Sequence, residues 1–119
     1  MWALTILITL ALTTAIAEAF SPEHRRGKRA LVVMLPGASS FRNHAKFGEP
    51  EYQPLLTALA VRHVAVFDPL PALLTVLGQR SYCQHYSRPA DCNGHLGVYV
   101  SELMPSTVMA ELRWRGLVK

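Results

Sequence analysis

Ala30-Leu-Val-Val-Met-Leu35 is an unbroken apolar run, with Lys28 and Arg29 before it and Pro36-Gly37 after it. A run without polar alternation reads as a strand buried on both faces, and such strands belong to parallel sheets covered by helices. This one segment therefore asks the rest of the chain for helices and for a second parallel strand. His63-Val-Ala-Val-Phe67, ending at Asp68-Pro69, supplies the strand. Glu51 to Ala60 carries Leu55, Leu56, Leu59 and Ala60 at helical spacing, and Leu70 to Leu77 reads as a helical turn that Gly78 closes. Ser106 to Arg115 reads as a last helix, with Pro105 in its first turn and Gly116 as its stop. Ala38 to Pro50 is polar and irregular, and is expected to be a loop. The order helix, strand, helix, strand, loop, helix implies right-handed crossovers onto a short parallel sheet flanked by helices, the α/β class. Two strands make a small sheet. Either a third is hidden in the N-terminal run or partner strands lie outside this chain.

With 119 residues, half of them hydrophobic, the chain has material for one modest core. High hydrophobicity with a net charge of only +4 is the opposite of the disordered signature. The charge is densest at His24-Arg25-Arg26-Gly27-Lys28-Arg29, with a smaller group at Arg113 and Arg115. Such clusters can meet phosphate or anionic lipid. The absence of interleaved aromatic residues argues for a solvated charged face, and no nucleic-acid partner is expected. Neither Gly-x-x-x-x-Gly-Lys nor Gly-x-Gly-x-x-Gly occurs, and no cofactor is expected.

Met1 to Ala17 is uncharged and apolar, close to the length of a membrane span. Ala15-Ile16-Ala17 has the small-x-small form of a signal-peptidase site, but no Lys or Arg precedes the run, as an export signal requires. Four threonines dilute it and Glu18 ends it. Export signal, membrane anchor and buried helix of a soluble domain all remain open readings. Ser21-Pro22-Glu23 next reads as the capped start of a short helical turn that Gly27 stops. Localisation is thus unassigned, with an extracytoplasmic or membrane-associated place slightly favoured, and residues 1–20, an apolar helix open to a signal or anchor role, are the segment through which any membrane association would run.

The segment Cys83-Gln-His-Tyr-Ser-Arg-Pro-Ala-Asp-Cys-Asn-Gly-His95-Leu-Gly gathers an acid, two cysteines and a glycine-flanked histidine on one short polar loop. Loops held by a scaffold are where chemistry collects, and a histidine near an aspartate can form the base half of a nucleophilic site. No Cys-x-x-Cys pair occurs. Cys83, Cys92, His85 and His95 form a four-ligand zinc set only on paper, so no metal is expected. The two cysteines pair in a small disulfide if the chain is exported and stay free thiols if it is not.

Strand and proline (Val32-Val33-Met34-Leu35-Pro36), helix, a strand ending in Asp-Pro (Val64 to Pro69), and Cys92-Asn93-Gly94-His95 before a terminal helix resemble the C-terminal half of SGNH (GDSL-type) hydrolases. The resemblance covers about Gly27 to Leu117. It implies a partial flavodoxin-like three-layer sandwich, a single incomplete domain over 1–119 with its SGNH-like part at 28–117, and an ancestral ester or acetyl hydrolysis through an acyl-serine. The implied substrate is an esterified or acetylated small molecule or carbohydrate. His95 matches the family's general base, a neutral imidazole that a carboxylate orients. The family's aspartate lies three residues before its histidine; here Cys92 stands there and Asp91 one residue farther out. His95 and Asp91 are therefore the catalytic residues the resemblance offers. The Gly-Asp-Ser nucleophile block and the oxyanion donors have no match, so a truncated hydrolase, inactive alone, is implied.

Other residues have plainer readings. Asp68 at a strand end sits where α/β sites collect ligands, yet with Pro69 behind it is expected to cap the next helix. Gly37-Ala38-Ser39 follows a strand as a nucleophile elbow does, but Phe41 replaces the closing glycine and a polar loop is the default. His44, His63 and His85 share no helix face and are expected in surface or loop roles; Trp2 and Trp114 read as packing residues, with an interface place open for Trp114 between its two arginines. The rival to the hydrolase is a small exported or membrane-anchored protein without catalysis, stapled by a Cys83–Cys92 disulfide. A second rival is a basic binding module acting through Arg25, Arg26, Lys28 and Arg29.

Overall fold

Leu70, Leu73 and Leu77 recur at helical spacing and are all buried. That stripe is the centre of the larger of two units into which the chain divides. The computed structural model describes residues 2–25, 29–78 and 80–119. One unit comprises Met1–Val32 with Tyr52–Phe67, the other Val33–Glu51 with Asp68–Lys119. The class is α/β.

In the first unit, helix α1 (Trp2–Arg25) packs on helix α3 (Gln53–Val61). Leu59 is wholly buried there, and so is Thr13, whose hydroxyl donates to the Thr9 carbonyl at 2.6 Å. That back-bond satisfies a polar group that burial would otherwise penalise. α1 runs without a break through Ser21-Pro22-Glu23, so the separate helical turn read there does not form. Its supposed stop, Gly27, lies outside the described residues. Burial of α1 is one-sided: Leu4 and Leu7 are each 63% exposed. No helix among the described residues is long and apolar enough to cross a membrane.

Strands β1 (Val32–Val33) and β2 (Val66–Phe67) form a two-stranded parallel pair, with Val32 N–H donating to the Ala65 carbonyl at 3.0 Å. Both are shorter than the apolar runs that contain them. For β2 the cause is visible. His63 sits in the left-handed region at φ 57° and closes α3: its N–H bonds the Ala60 carbonyl and Val64 N–H reaches back to Leu59. Those residues end a helix in a Schellman arrangement and are not available to start a strand.

In the second unit, helix α2 (Ala38–Phe47) occupies the stretch read as a loop. Gly37, in extended conformation, donates its N–H to Ser40 Oγ at 3.0 Å, and Gly48 at φ 81° stops the helix with its N–H on the His44 carbonyl. Two glycines thus bracket a polar helix that buries only Ala38, Ser40 and Phe41. Helix α4 (Leu70–Leu77) begins where Asp68 Oδ1 accepts from Leu70 N–H at 3.1 Å and ends at Gly78. Asp68 does cap it.

Helix α5 (Val98–Trp114) starts eight residues before the expected Ser106. Pro105 therefore stands in the helix interior, where it has no N–H for the carbonyl of Ser101. Ser106 and Thr107 both send hydroxyls to the Leu103 carbonyl around it. At the far end Gly116 N–H bonds Arg113 and Leu117 N–H bonds Leu112, the stop expected at that glycine. The core joins Phe41 of α2, Leu70, Leu73 and Leu77 of α4, and Val100 of α5, with Tyr82, Leu96 and Leu103 against its edge.

Leu73→Ala should cost about 2–5 kcal/mol, because a fully buried leucine leaves a cavity. Val76→Ala, on the exposed side of the same helix, should stay within about 0.5 kcal/mol. Urea unfolding of both variants checks the assignment; equal losses would place the buried face of α4 wrongly.

Candidate functional site

Tyr82–His85 is one turn of 3₁₀ helix, started by Ser81 Oγ accepting from Cys83 N–H. It leads into an antiparallel hairpin of β3 (Tyr86–Arg88) and β4 (Asn93–Leu96), in which Tyr86 pairs with Leu96 and Arg88 with Asn93 across a register shift. The connection is a second 3₁₀ turn, Pro89–Asp91, followed by Cys92 in left-handed conformation with its N–H on the Pro89 carbonyl. The polar loop of the sequence is thus a small hairpin. Gly97 N–H closes its base onto the His85 carbonyl at 2.7 Å.

Cys83 and Cys92 are joined in a disulfide with Cα atoms 4.5 Å apart. Each sulfur is committed to the other, which removes the paper zinc set with His85 and His95. The bond ties the turn before β3 to the residue that opens β4. Within the hairpin, Ser87 Oγ accepts from His95 N–H at 3.1 Å. Gly94 lies at φ 102°, and a Cβ there would run into that same hydroxyl. A glycine is therefore needed for backbone angle and for space together.

Facing this hairpin is the first turn of α2. Gly37, Ala38, Ser39 and Arg42 from the helix, with Tyr86, Asn93, Gly94, His95 and Leu96 from the strands, line an open groove of about 450 Å³. His95 is exposed on its rim. Ser39 reaches the same groove, though its hydroxyl donates to Glu51 Oε1 at 3.2 Å. Asp91 stays in the 3₁₀ turn, outside the lining. Among the described residues no hydrogen bond or ion pair joins Asp91 to His95. The groove can offer a guanidinium, an imidazole, an amide and a hydroxyl to an oxygen-rich ligand.

Two further residues shape the surroundings: Glu51, which the sequence did not single out, and His85, whose expected surface or loop role the structure replaces with burial. Glu51 accepts from Ser39 Oγ, from Ser40 Oγ at 2.8 Å and from Asn43 Nδ2 at 3.3 Å. Partial burial works against its charge, but its own backbone N–H and these three donors outweigh that and hold the carboxyl below its ordinary 4.5. Its position one turn beyond α2 gave no spacing signal. His85 is buried, its ring 4.9 Å from that of Phe41. Burial, and then the nearby Arg80 charge, push its imidazole below the ordinary 6.5. Arg80 also lies 5.3 Å over the Tyr99 ring at the start of α5. Among the described residues, no cluster of three or more His, Cys, Asp or Glu is placed to hold a metal ion.

No protein-family model, no curated protein and no solved structure matches this chain.

A buried imidazole with a lowered pKa contributes stability that is complete above 6.5 and is lost as pH falls from there through the folded value. Glu51 adds the same sign of dependence in a lower window, below 4.5. Urea midpoints taken from about pH 7 down to about pH 5 should therefore fall in the wild type and flatten in His85→Gln, with Glu51→Gln following the wild type over that range. A His85→Gln profile as steep as the wild type would remove His85 as the cause.

Proposed function

We propose that this chain works in an oxidising, extracytoplasmic compartment as a small binding protein without catalysis of its own. The Cys83–Cys92 disulfide carries this reading, because such bonds persist where thiols are not kept reduced. The bond lies next to the residues that form the groove: Asn93, Gly94 and His95 follow Cys92 directly. A hairpin this short is marginal alone, and the covalent clip fixes the donors that a ligand would meet. Arg42, Asn93 and His95 suit a small, oxygen-rich molecule. An acetylated or esterified carbohydrate, the substrate class implied by the SGNH resemblance, meets that description.

Closing a loop with a sequence separation of 9 contributes about 2–3 kcal/mol by loop-closure entropy. The double variant Cys83→Ser/Cys92→Ser should be less stable by that amount and should lose protection of the β3–β4 amides from hydrogen exchange. Alkylation of freshly lysed, unreduced material should find no free thiol. Full labelling of both cysteines would end the oxidising-compartment reading.

A second reading keeps the hydrolase chemistry, and one observation favours it: Ser39 and His95 line the same groove. Here His95 is the base, Ser39 in its strand–loop–helix setting is the hydroxyl it would activate, and Asp91, which lies outside the groove lining, is the orienter the resemblance offers. The three-layer sandwich of the family would need strands beyond the parallel pair. Glu51 competes with His95 for the Ser39 proton, which weighs against this reading. Hydrolysis of p-nitrophenyl acetate by wild type, His95→Ala and Ser39→Ala decides between the two. Equal, buffer-level rates for all three support the binding protein. A loss of roughly a hundredfold or more in both variants supports the acyl-serine.

A further inference from the structure

The two asparagines of the chain, Asn43 and Asn93, sit in opposite settings. Asn43 lies inside α2, where the next backbone amide belongs to the helix ladder, and its Nδ2 donates to Glu51 Oε2 at 3.3 Å. Asn93 is exposed at the start of β4, and its Oδ1 accepts from the backbone N–H of the very next residue, Gly94, at 2.7 Å. Cγ is one carbonyl bond of about 1.2 Å from Oδ1, so it lies within about 3.9 Å of the Gly94 nitrogen. That approaches the separation of a near-attack conformer. A glycine leaves this nitrogen unshielded, and the fold requires the glycine. Its φ of 102° and the Ser87 hydroxyl, which stands where a Cβ would go, exclude a side chain.

We propose that Asn93-Gly94 is a self-modifying site, at which the Gly94 amide nitrogen attacks Asn93 Cγ and residue 93 becomes aspartate or isoaspartate. The N–Cγ bond forms as the Cγ–Nδ2 bond breaks. The proton lost from the Gly94 nitrogen is balanced by the one Nδ2 gains as it leaves as ammonia, and a cyclic succinimide remains. Water then opens the ring at either carbonyl. The net change is one water taken up and one ammonia released, with no other reactant. Opening at Cγ gives aspartate. Opening at the main-chain carbonyl gives isoaspartate, which routes β4 through Cβ and Cγ and adds one carbon to the strand just before the His95 N–H that Ser87 accepts. Either product replaces a donor amide by an acceptor-only carboxylate on the groove that Arg42 and His95 also line. The chemistry stands apart from the binding reading, and only the loss of ligand affinity that follows from it rests on that reading.

Incubation of the folded full chain at mildly alkaline pH, followed by proteolysis and mass spectrometry, tests this. Aspartate and isoaspartate should accumulate together at 93 with first-order kinetics, faster as pH is raised, while Asn43 stays intact. Asn93→Gln, whose longer side chain would have to close a larger ring, should lose the product. The same chain unfolded in guanidinium chloride supplies the reference rate. The native rate should match or exceed it, because the Oδ1 contact already holds the reacting groups together. A native rate below the unfolded one shows that the strand withholds the attack geometry and overturns the proposal. Equal conversion at Asn43 and Asn93 in the folded chain, or an acidic product that persists in Asn93→Gln, overturns it as well.

Discussion

The bond between Cys83 and Cys92 is the constraint on which the second unit's site depends. A three-residue strand paired with a four-residue strand across a register shift has too few ladder hydrogen bonds to hold itself. The covalent tie fixes the ends of the segment that must turn, and smaller contacts then suffice for the rest. Gly97 closes onto His85, Ser87 takes the His95 amide, and the His85 ring rests on Phe41 of the core. The groove is therefore an extension of the hydrophobic core, reached through one buried imidazole. Its polar face and its apolar support are carried by neighbouring residues of the same short segment.

How legible each element was depends on whether its signal is local. α4 was readable to the residue, since a leucine stripe, Asp68 before it and Gly78 after it all act within one helix. α3 and the Gly116 stop of α5 were readable for the same reason. α2 was not: Ala38, Ser40 and Phe41 are too few buried residues to give a periodicity, and its bracketing glycines also fit a loop. Pro105 misled because proline favours a first turn, whereas packing of Val100 into the core starts α5 earlier. Tertiary burial outweighed the local rule.

For the site, His95 was picked out by its glycine neighbour and a nearby acid; the structure puts the histidine on the lining of a groove and leaves Asp91 outside it. The hairpin under it was invisible. Tyr86-Ser-Arg88 and Asn93-Gly-His-Leu96 have none of the β-branched residues that mark strands, and their pairing is set by a disulfide and a serine hydroxyl. Glu51 went unnoticed because its donors, Ser39, Ser40 and Asn43, come to it only once α2 exists. A contact that requires an unrecognised helix cannot be read before that helix is. The apolar character of Met1 to Ala17 was plain from composition, while the side that α3 covers needed the fold.

The meeting of Ser87 and Gly94 has a genetic corollary. The hydroxyl of Ser87 fills the volume that any side chain at 94 would claim, and it is also the acceptor for the His95 amide. The two positions are thus epistatic. Enlarging 94 alone collides with an atom the strand needs, and shrinking 87 to make room discards that acceptor, so neither change repairs the other. Diversity in this groove should come from the side chains at 93 and 95, which point away from the conflict only as long as the serine–glycine pair beneath them stays whole.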